Sequence, residues 1–161
     1  MGDGSPELVK LARTLGYPVT NTLMGLGGYP ASDPQFVGML GMHGSYEANM
    51  AMQNCDVLIA VGARFDDRVI GDPKDFLSKK RSIIHIDVDP SSISKRVKVD
   101  VPIVGHVQSV LVEMNEVLAA DSTKNDISAW WKQIDEWRGV KSMVYANSDT
   151  VIKPQYVIEK L

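Results

Sequence analysis

With one cysteine, Cys55, in 161 residues, neither a disulfide framework nor a thiolate metal cluster can form. Histidine is scarce too: there are three, and none is spaced with Glu, Asp or Cys as a ligand set. Positive charge is not in excess. Seventeen Lys+Arg stand against twenty Asp+Glu, a net charge of -3, which excludes a strongly electrostatic nucleic-acid binder but leaves a small anionic ligand open. Long hydrophobic runs are missing. The longest, Val57 to Ala63, falls far short of the ~20 residues that span a bilayer. The opening Met1-Gly-Asp-Gly4 does not read as a signal peptide. Together these point to a cytoplasmic protein with no membrane or nucleic-acid partner. No serine-histidine-aspartate context and no acidic pair in an apolar setting occur either. Without nucleophile, base or metal, the chain reads as a binding partner in chemistry completed elsewhere.

What is present is the composition of a globular fold, 44% apolar and 23% charged. The length suits one domain, with room for a trailing segment. Ser5-Pro-Glu reads as a helix start capped by Ser5, and Leu8, Leu11, Ala12 and Leu15 keep helical spacing up to Gly16. Tyr17 to Thr22 is short and β-prone. Tyr29 to Gly44 reads as a long loop, from its Pro, Asp and Gly content. Ser45 caps a helix running to about Gln53, which Asn54 could close. Asp56 to Gly62 and Ser82 to Val88 are near-continuous apolar runs, as central parallel strands require. Between them Pro73 to Lys80 suits a short helix. Val101 to Val104 is a shorter strand whose Pro102 favours an edge, and Val107 to Leu118 is an amphipathic helix. Strands alternating with helices imply an α/β fold with a parallel sheet. After a polar link over residues 121–126, Ile127, Trp130, Ile134 and Trp137 recur at helical spacing. The final stretch, Ile152 to Leu161, opens a helix at Pro154 and reads as the start of an element that continues elsewhere.

Ligands of such sheets bind beyond the strands' carboxyl ends, where four segments fall. Thr22-Leu-Met-Gly-Leu-Gly27 is either a backbone cradle or a tight turn. In Leu40-Gly-Met-His-Gly44, unpaired N–H groups of a glycine loop precede a helix, Met42 offers an apolar wall, and His43 is either a donor or simply solvated. Gly62-Ala-Arg-Phe-Asp-Asp-Arg-Val69 gathers Arg64 and Arg68 at a spacing that suits one helical face, either as an ion-pair network or to hold a phosphate and a carboxylate. Asp87 could accept from ribose hydroxyls, while Asp89 suits a turn. His85, Cys55 and the three tryptophans read as core.

Pro18-Val-Thr-Asn-Thr-Leu-Met-Gly-Leu-Gly27, Met39 to Asn49, Val61-Gly-Ala-Arg-Phe-Asp-Asp-Arg68, His85-Ile-Asp-Val-Asp-Pro90 and Pro102-Ile-Val-Gly105 follow one another in order. In combination they resemble the central domain of the acetolactate synthase catalytic subunit, a thiamine-diphosphate enzyme. Ile152 to Leu161 resembles the linker into that family's last domain. The resemblance implies a six-stranded parallel sheet with helices on both faces. It divides the chain into an FAD-binding domain over 1–120 and a helical linker over 121–161. It places Thr22, Leu23, Met24, Gly41, Met42, His43, Gly44, Gly62, Arg64, Asp66 and Val69 along the flavin and diphosphate. Asp87, Val88, Ser92, Gly105 and His106 fall around the adenosine, His106 standing where the family has aspartate. Arg68 matches an arginine that holds the second keto acid's carboxylate. The family's flavin is structural, and thiamine diphosphate with Mg2+ sits in flanking domains of the same chain, along with the catalytic glutamate. Its members are homo-oligomers with a regulatory small subunit, and join two 2-keto acids with loss of CO2 in branched-chain amino-acid synthesis. A Gly-rich segment that precedes the family's first helix is reduced here to Gly2-Asp-Gly4. Other thiamine-dependent flavoenzymes, such as pyruvate oxidase or glyoxylate carboligase, and a stand-alone nucleotide-binding module are the alternatives.

Overall fold

The computed structural model describes residues 3–121 and 125–161; Met1, Gly2 and part of the polar link at 122–124 lie outside the described residues. Helix α1 spans Ser5–Leu15, with Pro6 in its first turn and Gly16 ending it in the left-handed conformation at φ 72°. Gly4, not Ser5, occupies the N-cap, and the Ser5 hydroxyl instead donates to the Gly28 carbonyl at 2.7 Å. Strand β1 (Val19–Asn21) pairs in parallel with β2 (Phe36–Met39), which lies inside the stretch expected to be loop. Helix α2 (Tyr46–Asn54) is capped as its sequence indicates, Ser45 Oγ accepting from the Ala48 N–H.

Strand β3 (Val57–Val61) leads through two four-residue helices, α3 (Asp67–Ile70) and α4 (Pro73–Phe76), to β4 (Ser82–Asp87). Then follow β5 (Val101–Val104), α5 (Val107–Ala120), α6 (Ser128–Gly139) and α7 (Pro154–Lys160). Pro102 lies on the edge strand, where a missing N–H costs no ladder bond.

The expected six-stranded sheet is not formed. Among the described residues there are five strands, in two parallel sheets, β1–β2 and β3–β4–β5. Among the described residues after Val104 the regular elements are all helices, so none of them supplies a sixth strand.

Alternation along β3 and β4 divides the core. Ile59, Val61 and Ile86 face α1 and α5, meeting Leu11 and Leu111. Ala60 and Ile83 face the other side, with Met52 of α2, Phe65, Ile70 and Phe76. A third cluster joins Val37, Ala48 and Ala51 to Ile134 of α6, which is fully buried beneath Trp130, Trp131 and Trp137. Trp130 and Trp137 meet edge-on at 5.5 Å, and Trp131 Nε1 donates to the Gly16 carbonyl at 2.9 Å. The tryptophans are packing residues, as their spacing indicates, and α6 is docked on α2.

Candidate functional site

The carboxyl ends of all five strands carry the segments singled out from the sequence. At the end of β1, Thr22 caps a single 3-10 turn over Leu23–Gly25, its hydroxyl accepting from the Gly25 N–H at 3.1 Å. That turn pushes Leu23 and Met24 outwards, where they are about two-thirds exposed. Leu40 N–H donates to the Asn21 carbonyl and ties this turn to the loop after β2.

That loop is clamped. Asn49 of α2 accepts from the Gly41 N–H at 2.8 Å and donates to the Gly41 carbonyl at 2.9 Å. Gly41 holds φ 101°, and a Cβ there would come within 2.5 Å of the Arg68 carbonyl, so only glycine allows this approach. Met42 and His43 are exposed as a result. Gly44 N–H closes the loop on the Gly41 carbonyl at 2.9 Å.

The loop after β3 lies directly beside it. Met42 N–H donates to the Arg68 carbonyl at 2.7 Å, and Arg68 Nη1 lies 3.5 Å from Met42 Sδ. Gly62 has φ 60° with open space where a Cβ would be. Arg64 pairs with Asp66 at 2.8 Å, and Arg68 lies 4.0 Å from Asp67, all with exposed side chains. Such exposed pairs hold little energy, so both guanidiniums can exchange their partners for a ligand anion. Their spacing suits one helical face, but Arg64 precedes α3, so it does not share a face with Arg68. Val69 is half-buried against the core below Gly41.

At the end of β4, Asp87 is buried, and its Oδ1 accepts from the Asp89 N–H at 2.9 Å. Its Oδ2 lies 3.8 Å from His85 Nε2. His85 is fully buried as a core residue, yet neither ring nitrogen has a hydrogen-bond partner, and Phe65 packs edge-on at 5.2 Å. Burial pushes the imidazole below its ordinary pKa, against the pull of the Asp87 carboxylate and the Ala63 backbone. Asp89 is held below the usual carboxylate range by the Ser91 hydroxyl and N–H, with Ser92 adding a weaker bond. Gly105 N–H donates to the Asp87 carbonyl at 3.0 Å and joins the ends of β4 and β5. Val88 and His106 are exposed there.

Two groups therefore form, one from residues 21–24, 41–44 and 62–69, the other from 85–92 and 105–106, and they meet where Phe65 packs on His85 and Gly62 N–H donates to the Ile86 carbonyl. No hydrogen bond or ion pair among the described residues joins Arg64 or His43 to Asp87. Sequence reasoning missed Asn49, a mid-helix polar residue one turn after its cap, and Phe65, buried at φ 53°. No group of three metal-ligating side chains occurs among the described residues.

Residues 1–114 match the family model described as the central domain of thiamine pyrophosphate enzymes. The chain is 45% identical over 157 residues, 96% of its length, to the acetolactate synthase large subunit of Haemophilus influenzae. It is 46% identical over 158 residues to the acetolactate synthase isozyme 3 large subunit of Escherichia coli, again over 96% of its length. A probable acetolactate synthase large subunit of Methanocaldococcus jannaschii is 43% identical over 98% of the chain. The chain spans only 27%, 27% and 26% of these relatives' lengths, about a quarter.

Proposed function

We propose, from the premise that this chain belongs to the thiamine pyrophosphate enzymes through their central domain, that it holds FAD in an acetolactate synthase large subunit. One observation carries the reading. The strand-end rim presents exposed apolar side chains (Leu23, Met24, Met42, Val88), an exchangeable guanidinium at Arg64 and a buried carboxylate at Asp87. A flavin dinucleotide needs the same three things: apolar walls for its ring, a cation for its diphosphate and an acceptor for its ribose hydroxyls. Gly41, Gly44 and Gly62 allow the backbone to approach closely, so the residues present fit the group.

In this reading Thr22, Leu23, Met24, Met42, His43 and Val69 line the ring, and Arg64, oriented by Asp66, faces the diphosphate. Asp87, Val88, Ser92, Gly105 and His106 surround the adenosine. Bound FAD supplies a rigid planar wall to the active site, not a redox step. Arg68 presents its guanidinium beside Met42 to the carboxylate of the second 2-keto acid, which is joined to a first pyruvate after loss of CO2. Residues 1–120 form the cofactor domain, and residues 121–161 lead towards a further domain. Thiamine diphosphate and Mg2+ are bound outside this chain's residues, in flanking domains. Homo-oligomers, a regulatory small subunit and a cytoplasmic setting belong to the same reading.

The test replaces the matching quarter of the Escherichia coli isozyme 3 large subunit with this chain. We expect the purified chimera to contain FAD and to form acetolactate from pyruvate. A soluble chimera without flavin would overturn the reading. So would pyruvate turnover by the 161-residue chain alone, supplied with thiamine diphosphate, Mg2+ and FAD.

A further inference from the structure

Asparagine is a poor resident of a helix, because its amide competes with the backbone for hydrogen bonds. Asn49 nevertheless stands one turn into α2, half-buried, and all three of its side-chain bonds go to backbone groups. Its Oδ1 accepts from the Gly41 N–H at 2.8 Å, and its Nδ2 donates to the Gly41 carbonyl at 2.9 Å and the Ser45 carbonyl at 3.1 Å. The Ser45 bond steadies the side chain on its own helix. The other two hold Gly41 from both sides. Among the described residues, every side-chain hydrogen bond to the backbone of residues 40–44 comes from Asn49.

Gly41 in turn meets the neighbouring loop. Its φ of 101° and missing Cβ let the Arg68 carbonyl approach, and the next residue, Met42, donates its N–H to that carbonyl at 2.7 Å. Met42 also sets its sulfur 3.5 Å from Arg68 Nη1, so it meets Arg68 at the backbone and at the guanidinium. Helix α3, which carries Arg68, is a single turn of four residues with no side-chain cap, too short to be stable alone. The exposed Arg68–Asp67 pair at 4.0 Å adds little. Burial of Val69 and Ile70 anchors α3 from below, and the Met42 contacts fix it from the side of the rim. The chain of contacts therefore runs from Asn49 through Gly41 and Met42 to Arg68.

We propose that Asn49 is the positioning residue of Arg68: by clamping Gly41 it fixes the Met42 N–H and sulfur that aim the guanidinium at the carboxylate of the second 2-keto acid. The inference rests on the proposed role of Arg68 and adds to it a residue that touches no substrate. A guanidinium fork is useful only at the right angle. Loosening the clamp therefore spoils the joining step and spares decarboxylation of the first pyruvate, in which Arg68 has no part.

Two measurements separate the clamp from its function. In the 161-residue chain, amide hydrogen exchange at Met42 should be at least about tenfold faster in Asn49→Ala than in the original, with Ile83 and Ile86 of β4 unchanged. Asn54→Ala is the control, because Asn54 lies on the same helix and donates to the Met50 carbonyl at 2.7 Å without reaching the rim. In the Escherichia coli chimera, single-turnover kinetics should show Asn49→Ala slowing product formation about 10- to 100-fold, while FAD is retained and CO2 release changes by less than about twofold. Added to Arg68→Lys, Asn49→Ala should cause less than about twofold further loss, since both act on one contact. Asn49→Asp keeps the acceptor for the Gly41 N–H but loses both donations; it serves where Asn49→Ala does not fold, and should show the same selective loss. Unchanged Met42 exchange, equal slowing of both steps, fully additive losses in the double variant, or the same pattern from Asn54→Ala would each overturn the proposal. An unsubstituted chimera without flavin or acetolactate would instead overturn the functional reading beneath it, and Met42 exchange would still decide the clamp.

Discussion

His85 has no room for a charge. It is fully buried against Phe65, and the carboxylate nearest to it, that of Asp87, lies 3.8 Å away, beyond hydrogen-bond reach. Burial therefore lowers its pKa in the fold beneath the ordinary imidazole value of 6.5. Between the two values the unfolded chain binds the proton and the folded one does not, so stability is full above about 6.5 and falls as pH drops toward the folded value. Thermal denaturation from pH 7.5 to 5 should show this loss, limited to ~1.4 kcal/mol per pH unit for one proton. His85→Phe should flatten the profile; an unchanged slope would place the titration elsewhere. Arg64 poses the opposite case, an exposed group whose pairing with Asp66 is easily exchanged. Arg64→Ala should leave the fold intact and weaken FAD binding in the chimera by roughly 1.5–3 kcal/mol, about 10- to 150-fold, as for a lost charge-assisted bond. Flavin fluorescence titration reads this directly, and equal affinity would make the pair merely structural.

Element boundaries show why some of this architecture was legible and some was not. Strands β3 and β4 and helix α5 were readable because long apolar periods leave few alternatives, and Ser45 marked the start of α2 by its side chain alone. Strand β2 was not. It has four residues, includes Gly38 at φ 115°, and lies between Pro34 and Gly41, so its chemistry is that of a loop. Only pairing with β1 makes it a strand. Helix α3 is equally short, and Ser5 lost the cap to Gly4 because its hydroxyl found a partner 23 residues away. The rim was legible because strand ends locate sites by rule, whereas Asn49 and Phe65 act through contacts that no local pattern encodes. Helix α6 offers the test at this scale. Ile134 is its one fully buried side chain, wedged between Ala48, Ala51 and the tryptophans. Ile134→Ala should cost ~2–5 kcal/mol in urea unfolding and free α6 from α2. A loss under ~1 kcal/mol would mean that the helix contributes little to the core.

At the scale of the whole molecule the chain spans about a quarter of its relatives' lengths, and in the proposed reading the site that Arg68 serves is completed by flanking domains. Arg68 sits on α3 at the rim with its guanidinium 70% exposed, steadied by a Met42 sulfur at 3.5 Å and a distant Asp67 carboxylate at 4.0 Å. Among the described residues no oxygen accepts a hydrogen bond from its guanidinium fork, which only the Met42 sulfur engages. In the proposed reading, the carboxylate of the second keto acid would need a planar, bidentate partner to set its angle of approach, and lysine offers only a point charge. In the chimera, Arg68→Lys should therefore slow use of the second keto acid far more than decarboxylation of the first pyruvate. If the contact tightens as the new bond forms, the loss appears in the rate of that step as well as in apparent affinity. Asp67→Asn should give a milder form of the same defect, since it removes the carboxylate nearest the guanidinium but leaves the fork. Single-turnover kinetics that follow CO2 release and product formation separately distinguish the outcomes. Equal slowing of both steps would assign Arg68 to holding the loop through its carbonyl, which accepts from Met42 N–H at 2.7 Å, and would remove it from substrate recognition.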